Sequence, residues 1–437
     1  MNPSPAPPNS TSRRQFLKTS TTAVLGGALA SQWALSGRAQ APNSETLKVG
    51  LIGCGGRGTG AAAQALHADN NVMLTAMADV FPERLQASLA ELRRQAPDKV
   101  KVQDDHSFIG LDAYQKVLDS GVDVVILTTP PGFRPVHLKA AVAANKHIFC
   151  EKPVATDAPG LRSVMESVAE SKQKPIALVA GFCWRYNTSR RAFYQHIHDG
   201  AIGDLRAIYA TYYTSPVKPM PPADRRPANC TDVEWQLRNW YNFVWLCGDS
   251  IVEQAVHSVD KIAWAMRDVP PTRAVAVGGR QIPSHGGNIY DHFEVNYEFA
   301  NGERAFLACR QISGCYNDNS DYLLGTRGAG TIPNWSAPVI TGENAWRYPK
   351  RQDLDMYQIE HNELFASIRS GKYLNDGDRM ASTTLMALMG RMAAYTGQQI
   401  TWEQALHSQE NLYPENLSWT MSLSAPPMAL PGITKFV

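Results

Sequence analysis

The sequence has no excess of charge of either sign, no paired cysteines and no internal repeat. It carries 42 Lys and Arg residues against 40 Asp and Glu residues, a formal net charge of +2 over 437 residues. This balance argues against a nucleic-acid surface or a polybasic membrane patch. The 7 cysteines include no C-x-x-C pair and are odd in number, so neither a zinc site nor a dense disulfide framework is expected. No metal site is predicted.

Long uncharged runs are equally scarce, and the one that stands out lies near the N-terminus, at residues 19–37. It follows Arg13 and Arg14 and precedes a small-residue stretch, A-Q-A, that fits signal cleavage. The arrangement S-R-R-x-F-L-K resembles the bacterial twin-arginine signal. We therefore predict a twin-arginine signal peptide over residues 1–41, export in the folded state and a periplasmic location. An ordinary secretory signal or a disordered terminus is the alternative, and no other stretch predicts a membrane span.

The chain is longer than one ordinary domain needs, and its pattern changes along its length. From Leu47 to Gly181, the apolar runs LKVGLIG, VMLTAMAD, VDVVILTTP, KHIFCEKP and PIALVAG alternate with helical segments. This alternation predicts a parallel sheet covered on both faces. We therefore expect an α/β fold whose N-terminal domain, residues 42–180, is a doubly wound parallel sheet of the Rossmann type.

In the second half of the chain the apolar pattern takes a period of two. FEVNYEF and ERAFLACRQ alternate on either side of an Asn-Gly pair, which is a strong hairpin signal. We expect residues 181–437 to form an α+β domain with an antiparallel sheet. The stretch VEQAVHSVDKIAWAM, residues 252–266, predicts one continuous helix, and two later helices are expected to end at Gly371 and Gly397.

A glycine-rich loop follows the first predicted strand. Gly53, Gly55 and Gly58 form G-x-G-x-x-G between a strand and a helix. The first glycine permits the tight turn, the second lets the backbone approach a pyrophosphate, and the third allows the helix to pack closely on the strand. Asp79 ends the second strand, where an acid hydrogen-bonds ribose hydroxyls and disfavours a 2′-phosphate. The pattern predicts a dinucleotide site that prefers NAD to NADP. A glycine-rich turn without ligand, and Asp79 as a helix N-cap, are the alternatives.

Lys152 lies in the motif EKP, at the carboxyl end of a predicted parallel strand. Ligands of such sheets bind at that edge. We therefore expect Lys152 beside the nicotinamide, within reach of a sugar hydroxyl. A solvated surface charge is the alternative.

The whole set of motifs resembles the Gfo/Idh/MocA oxidoreductase family, in its secreted, twin-arginine form that includes glucose–fructose oxidoreductase. The resemblance rests on GCGGRG, TTPP, EKPVATD, GFCWRYN, IGDLRAIYATYY, the His of EQAVHSVD and YTGQQITW. It implies a Rossmann domain followed by a domain with a large open antiparallel sheet. Because that sheet often serves as an oligomer interface, a homodimer or homotetramer is implied as well. Most members oxidise or reduce a carbon of a sugar or cyclitol with NAD or NADP.

The resemblance also implies roles for individual residues. Lys152 would position the reacting hydroxyl, and His257 would be the general acid/base, because an imidazole pKa near neutrality suits proton transfer. Glu253 stands where many members have Asp, one helical turn before the His, and is expected to orient the ring. The predicted catalytic residues are Lys152, His257 and Glu253. The predicted cofactor-binding residues are Gly53, Cys54, Gly55, Gly56, Arg57, Gly58, Asp79, Thr129, Pro130, His137, Glu151, Lys152 and Arg185. The predicted substrate-contacting residues are Lys152, Arg185, Tyr186 and His257.

A compartment argument completes the functional expectation. Outside the cytoplasm there is no NAD pool with which a bound cofactor can exchange. We therefore expect an exported, NAD-containing carbohydrate oxidoreductase whose tightly held cofactor is recycled in place on a small-molecule sugar. A redox-neutral NAD-dependent glycosidase or lyase, working by transient sugar oxidation, is the first alternative. A non-catalytic protein that binds sugar and NAD is the second, and the presence of both Lys152 and His257 argues against it.

Overall fold

The structure, a computed structural model, describes residues 45–334, 336–349 and 353–437. The signal peptide predicted for residues 1–41 lies outside this part of the chain. Thr46–Val437 form a single compact unit that contains two sheets, one on either side of the domain boundary predicted at residue 180.

The first sheet is parallel and six-stranded, which confirms the predicted Rossmann-type sheet. Its strands are β1 (Leu47–Ile52), β2 (Val72–Asp79), β3 (Ser107–Ile109), β4 (Val124–Leu127), β5 (His147–Cys150) and β6 (Leu178–Ala180). They lie in the order β3-β2-β1-β4-β5-β6. Apolar clusters cover both faces, which is why these strands are apolar along most of their length. The strand order reverses between β1 and β4, so a ligand is expected outside their carboxyl ends.

Helices connect these strands. They are α1 (Gly56–Ala68), α2 (Pro82–Gln95), α3 (Ala113–Asp119), α4 (Arg134–Ala143) and α5 (Ala158–Ser171), with short 3₁₀ turns at Asp104–His106 and Pro131–Phe133. Because α1 begins directly after β1, its first backbone N–H groups face the carboxyl edge of the sheet.

The second sheet has nine strands and is mixed: its neighbouring strands pair antiparallel, as expected, except for one parallel pair. Its strands are β7 (Leu205–Thr214), β8 (Arg273–Gly279), β9 (His292–Glu298), β10 (Arg304–Gln311), β11 (Asp321–Gly325), β12 (Gly328–Ile332), β13 (Val339–Gly342), β14 (Trp346–Arg347) and β15 (Ile400–Thr401). The order is β14-β13-β12-β11-β7-β10-β9-β8-β15. The predicted hairpin is confirmed, because β9 and β10 pair antiparallel. The neighbours β7 and β10 are parallel, and a local hairpin pattern carries no information about a neighbour so distant in sequence.

The helices of the second half are α6 (Thr188–His198), α7 (Asp232–Arg238), α8 (Val244–Cys247), α9 (Ser250–Glu253), α10 (Val256–Ala265), α11 (Met356–Ser370), α12 (Gly377–Thr396) and α13 (Trp402–His407). Short 3₁₀ turns lie at Cys183–Tyr186, Ala223–Arg225 and Trp240–Asn242. The helix ends predicted at Gly371 and Gly397 are confirmed: both glycines adopt the left-handed conformation, with φ of 68° and 70°.

The single helix predicted over residues 252–266 is wrong, because α9 ends at Glu253 and α10 begins three residues later. In a continuous helix the Glu253 carbonyl would accept a hydrogen bond from the His257 N–H. Here the Glu253 carbonyl accepts one from Lys152 Nζ instead, at 2.5 Å, and the His257 N–H turns to the Gln254 carbonyl at 3.3 Å. A side chain from the first half of the chain therefore lies where the helical hydrogen-bond ladder is broken.

The outer face of the second sheet is open. Its exposed side chains share one face through the strand register and include Tyr209, Val275, Val277, Tyr322 and Leu324. The homo-oligomer implied by the resemblance stays a prediction, which sedimentation of the purified protein would test. Within the described part of the chain, no helix is both long and apolar enough to cross a bilayer.

Candidate active site

A groove of about 760 Å³ opens at the carboxyl ends of β1 and β2. Gly53 has φ of +100°, and a side chain there would meet the Thr128 backbone at 2.8 Å. A Cβ on Gly58 would lie 1.9 Å from the Gly53 carbonyl oxygen, so this glycine allows α1 to pack on β1. By contrast, a Cβ on Gly55 or Gly56 would meet nothing within 4 Å. The start of α1 therefore presents bare backbone to the groove, and this fits a dinucleotide pyrophosphate.

Asp79 lies on the wall of this groove. Its carboxylate accepts hydrogen bonds from the backbone N–H of Cys54 at 2.7 Å and of Phe81 at 2.9 Å. The residue that caps α2 is Phe81, and its side chain makes no capping hydrogen bond, so Asp79 is not the N-cap. The carboxylate thus joins the loop after β1 to the end of β2, at the position where an acid favours NAD.

The predicted residues after β4 lie on the same groove, namely Thr129, Pro130 and His137. Thr129 Oγ1 and His137 Nδ1 are hydrogen-bonded at 3.1 Å. Burial, followed by the charge of Arg134, lowers the pKa of His137 to about 3. His137 is therefore neutral at physiological pH and holds Thr129 without adding charge to the groove.

A second cavity of about 490 Å³ adjoins the groove, and the two share Arg57, Thr128, Trp240 and Tyr241 as walls. Lys152, Glu253 and His257 all line this second cavity. The structure thus brings the three predicted catalytic residues together, although their separation in sequence reaches about a hundred residues. A group bound here lies next to the end of the dinucleotide groove.

Glu253 holds Lys152 in place. Lys152 Nζ lies 3.2 Å from Glu253 Oε1, and both side chains are buried. The other oxygen, Oε2, accepts a hydrogen bond from Gln254 Nε2 at 2.5 Å, and Gln254 Oε1 accepts one from Tyr212 at 2.9 Å. The expectation that Glu253 orients His257 fails, since no hydrogen bond joins the two side chains among the described residues. The break between α9 and α10 turns the carboxylate to Lys152 instead.

His257 lies half-buried on the cavity wall, and its Nδ1 is buried without a hydrogen-bond partner among the described residues. Burial lowers the pKa of His257 well below 6.5, and the charges of Lys152, Lys261 and Arg57 act in the same direction. The imidazole is therefore neutral at pH 7 and can accept a proton. An ammonium and a neutral imidazole in one cavity are a suitable pair for removing a proton from a hydroxyl group.

Arg57 connects the glycine loop to the lysine. Its Nε donates to Glu151 Oε1 at 2.5 Å, and its Nη2 lies 3.1 Å from Glu360 of α11. Burial opposes the charge, but Glu151 and Glu360 together raise the pKa of the guanidinium. Glu151 Oε2 in turn accepts the Lys152 backbone N–H at 3.1 Å. Glu151 lines the second cavity and not the dinucleotide groove, whereas Arg57 lines both.

Arg185 and Tyr186 lie outside both cavities. Arg185 is buried in ion pairs with Asp260 at 2.9 Å and Asp268 at 2.5 Å. The Tyr186 hydroxyl donates to Asp376 at 2.9 Å. The predicted contacts of these two residues with cofactor or substrate have no support in this geometry, because their polar atoms are committed to carboxylates of the protein.

Several residues of the two cavities escaped the sequence analysis. Lys218, Leu237, Trp240 and Tyr241 come from the second half of the chain and line the dinucleotide groove. The adjacent aromatic pair Trp240-Tyr241 is a local signal that could have pointed to two of them. No group of three or more His, Cys, Asp or Glu side chains that could hold a metal occurs in the part of the chain described here.

Comparisons with known proteins agree with this geometry. A family model described as "Oxidoreductase family, NAD-binding Rossmann fold" matches residues 47–178, and one described as "GFO/IDH/MocA C-terminal domain" matches residues 191–330, together more than half of the chain. Inositol 2-dehydrogenase of Rhizobium meliloti is 24% identical over 327 residues, 74% of this chain and 86% of that protein.

Solved structures share the fold. A levoglucosan dehydrogenase in complex with NADH and levoglucosan superposes with a TM-score of 0.64 and 18% identity, covering 82% of this chain and 99% of that one. An aldose–aldose oxidoreductase from Caulobacter crescentus, complexed with glycerol, superposes with a TM-score of 0.63 and 17% identity. The match covers 82% of this chain and 100% of that one. With both family models matched in order along the chain, the protein belongs to the Gfo/Idh/MocA family of NAD-binding oxidoreductases.

Proposed function

We propose that this protein is an exported carbohydrate oxidoreductase that keeps its NAD bound and recycles it on a second sugar. The observation that carries the proposal is the shared cavity of Lys152 and His257, which adjoins the dinucleotide groove. Relatives and structural neighbours named for inositol, levoglucosan and aldoses support a polyhydroxylated ring as substrate.

The two side chains divide the work on a substrate hydroxyl. The chemistry that NAD supplies when bound is acceptance of a hydride from carbon. His257, held neutral by its surroundings, accepts the hydroxyl proton. Lys152 donates a hydrogen bond to the same oxygen and stabilises the negative charge that develops there as the carbonyl forms. Glu253 and Gln254 keep the ammonium at that position through the hydrogen bonds described above.

The sugar–sugar cycle can be tested with a glycoside deuterated at the oxidised carbon and supplied as the only sugar. We expect a single burst of NADH absorbance that leaves the cofactor reduced, and renewed turnover when a second, reducible sugar is added. An acid extract of the freshly purified protein should contain near-stoichiometric dinucleotide. Many turnovers with release of a cleaved sugar, and without a second sugar, would show the redox-neutral glycosidase instead.

Export by the twin-arginine route belongs to the same proposal, since a protein exported folded can carry its cofactor. Replacing Arg13 and Arg14 with lysine is expected to leave the precursor in the cytoplasm, as seen by immunoblotting of cell fractions. A matched control replaces Lys18 with arginine and leaves the arginine pair intact. Unimpaired export of the double variant would favour the general secretory route and remove the argument for a carried cofactor.

A further inference from the structure

The C-terminal segment, residues 408–437, follows α13 and lies outside both matched family regions. It contains no helix or strand, yet it is described throughout. Its two ends meet, because the Val437 carbonyl accepts hydrogen bonds from Ser408 Oγ at 2.7 Å and from the Gln409 N–H at 3.0 Å. Such a segment needs partners elsewhere in the fold to keep one conformation.

Two aromatic side chains of this segment pack behind the dinucleotide groove. The ring of Trp419 lies 6.1 Å from that of Phe81 in an edge-to-face arrangement at 60°. The ring of Tyr413 lies 5.9 Å from that of Phe133 at 85°. Phe81 and Phe133 both line the groove. Neither Tyr413 nor Trp419 lines the groove, so their effect on a bound dinucleotide is indirect, and Phe81 and Phe133 are the groove residues that their rings contact.

The same segment bonds to the other side of the groove, which we call the roof and define as residues 218–241. Four residues of the roof line the groove, as described above. The Leu423 N–H donates to Asp232 Oδ2 at 3.0 Å, and Gln236 Nε2 donates to the Leu423 carbonyl at 2.5 Å. Asp232 and Gln236 both belong to α7. The segment thus joins the roof to the first half of the chain across the groove.

Direct links also join the roof to the first half of the chain, since Val233 and Leu237 of the roof are buried in one apolar cluster with Phe81 and Phe133. Arg238 of the roof pairs with Glu83 at 2.6 Å, but the two side chains are 38% and 55% exposed. Exposed ion pairs contribute little because water screens them. Arg238 also lies over the Phe81 ring, with 4.1 Å between the guanidinium carbon and the ring centroid. That ring is the one that Trp419 supports. Tyr413 and Trp419 of the C-terminal segment pack against the same cluster and so add to the contacts that hold the roof over the groove.

We propose that the C-terminal segment slows release of the dinucleotide, and that Tyr413 and Trp419 are positioning residues for the cofactor, acting through Phe133 and Phe81. The inference rests on the proposed function, in which NAD stays bound. In this inference, two parts of the chain retain the dinucleotide: the glycine loop and the C-terminal segment, which lies beyond the matched family regions.

The test uses the full-length protein loaded with NADH and measures its release after mixing with excess NAD. Trp419→Ala removes one edge-to-face contact together with buried ring area, and we expect release about 10-fold faster. The dissociation constant for the dinucleotide should rise in proportion. Trp419→Phe keeps an aromatic edge against Phe81 and should restore slow release. The matched control is Ile433→Ala on the same segment, where the side chain is 69% exposed and release should not change.

General destabilisation must be separated from loss of the contact between Trp419 and Phe81. Ile332→Val trims a fully buried side chain of the second sheet, away from the groove. If that variant, at a similar loss of melting temperature, speeds release as much as Trp419→Ala, the proposal is overturned. Unchanged release in folded Trp419→Ala and Tyr413→Ala variants overturns it while leaving NAD retention intact. Rapid release from the wild-type protein overturns both the retention in the proposed function and this inference.

Discussion

Replacing Lys152 with methionine is expected to lower kcat by about 10²- to 10³-fold, the range for loss of one hydrogen-bond donor to an oxygen that gains negative charge. Methionine keeps the length of the side chain and removes the ammonium that lies 3.2 Å from Glu253 Oε1. Bound dinucleotide should remain, because Lys152 lines the second cavity and not the dinucleotide groove. The measurement is steady-state oxidation of a sugar together with the dinucleotide content of an acid extract.

A double variant separates the chemical effect from a stability effect. Lys152→Met alone leaves the buried Glu253 carboxylate without its cation, which typically costs about 3–5 kcal/mol in the free energy of unfolding. Adding Glu253→Gln removes the second charge, so urea unfolding should show much of that stability regained while activity stays low. Recovery of activity in the double variant would contradict the role of Lys152. Glu253→Gln by itself should lower kcat less than Lys152→Met, because an amide oxygen can still accept from the ammonium.

His257→Ala is the second variant with a large expected effect, about 10²- to 10⁴-fold in kcat, the range for loss of a positioned base. The half-buried ring faces the cavity, so its removal leaves space that a small base can enter. Added imidazole should therefore restore part of the activity, with a rate that rises with the concentration of neutral imidazole. His407→Ala, on the exposed surface, is the control. Its kcat should equal that of the wild-type protein and should not change when imidazole is added. Full activity of His257→Ala without imidazole would assign the proton to another group.

The pH dependence follows from the lowered pKa of His257, which burial, Lys152, Lys261 and Arg57 produce. Because the neutral imidazole is the base, kcat/KM for sugar oxidation should hold its plateau through pH 6.5 and fall only at lower pH. The same shift affects folding. A histidine whose pKa is lower in the folded state contributes stability above the unfolded pKa of about 6.5 and loses it as pH falls toward the folded value. An acid limb above pH 6.5 would contradict the inferred environment.

Much of the first half of the molecule was predictable because its signals are local. VMLTAMAD, for example, was expected as a strand and forms β2 with the same ends. An apolar run with a helix on each side has few other ways to be buried. The glycine loop was predictable for a similar reason, because the positive φ of Gly53 and the packing of Gly58 on the Gly53 carbonyl are set within the turn itself.

The predictions that the structure does not support, for residues 252–266 and for Arg185, share a different cause. The apolar period of residues 252–266 continues without interruption, yet the helix breaks where Lys152 takes the Glu253 carbonyl. Arg185 follows a strand end, as a ligand-binding residue of such a fold does, but Asp260 and Asp268 neutralise it. In both cases the decisive partner lies 75 or more positions away in the sequence.

The sequence by itself determined the parallel sheet, the dinucleotide loop and the acid at Asp79, and its family resemblance indicated Lys152 and His257 as the reactive pair. Only the tertiary structure decided that Glu253 serves Lys152 and not His257, that Arg57 joins the loop to the lysine through Glu151, and that the last 30 residues support the groove. The physical reason is that hydrophobic periodicity and turn geometry act between near neighbours in the chain. The partner of a buried charge is chosen by packing, because the cost of burying that charge is offset by whichever group the fold brings within hydrogen-bond distance.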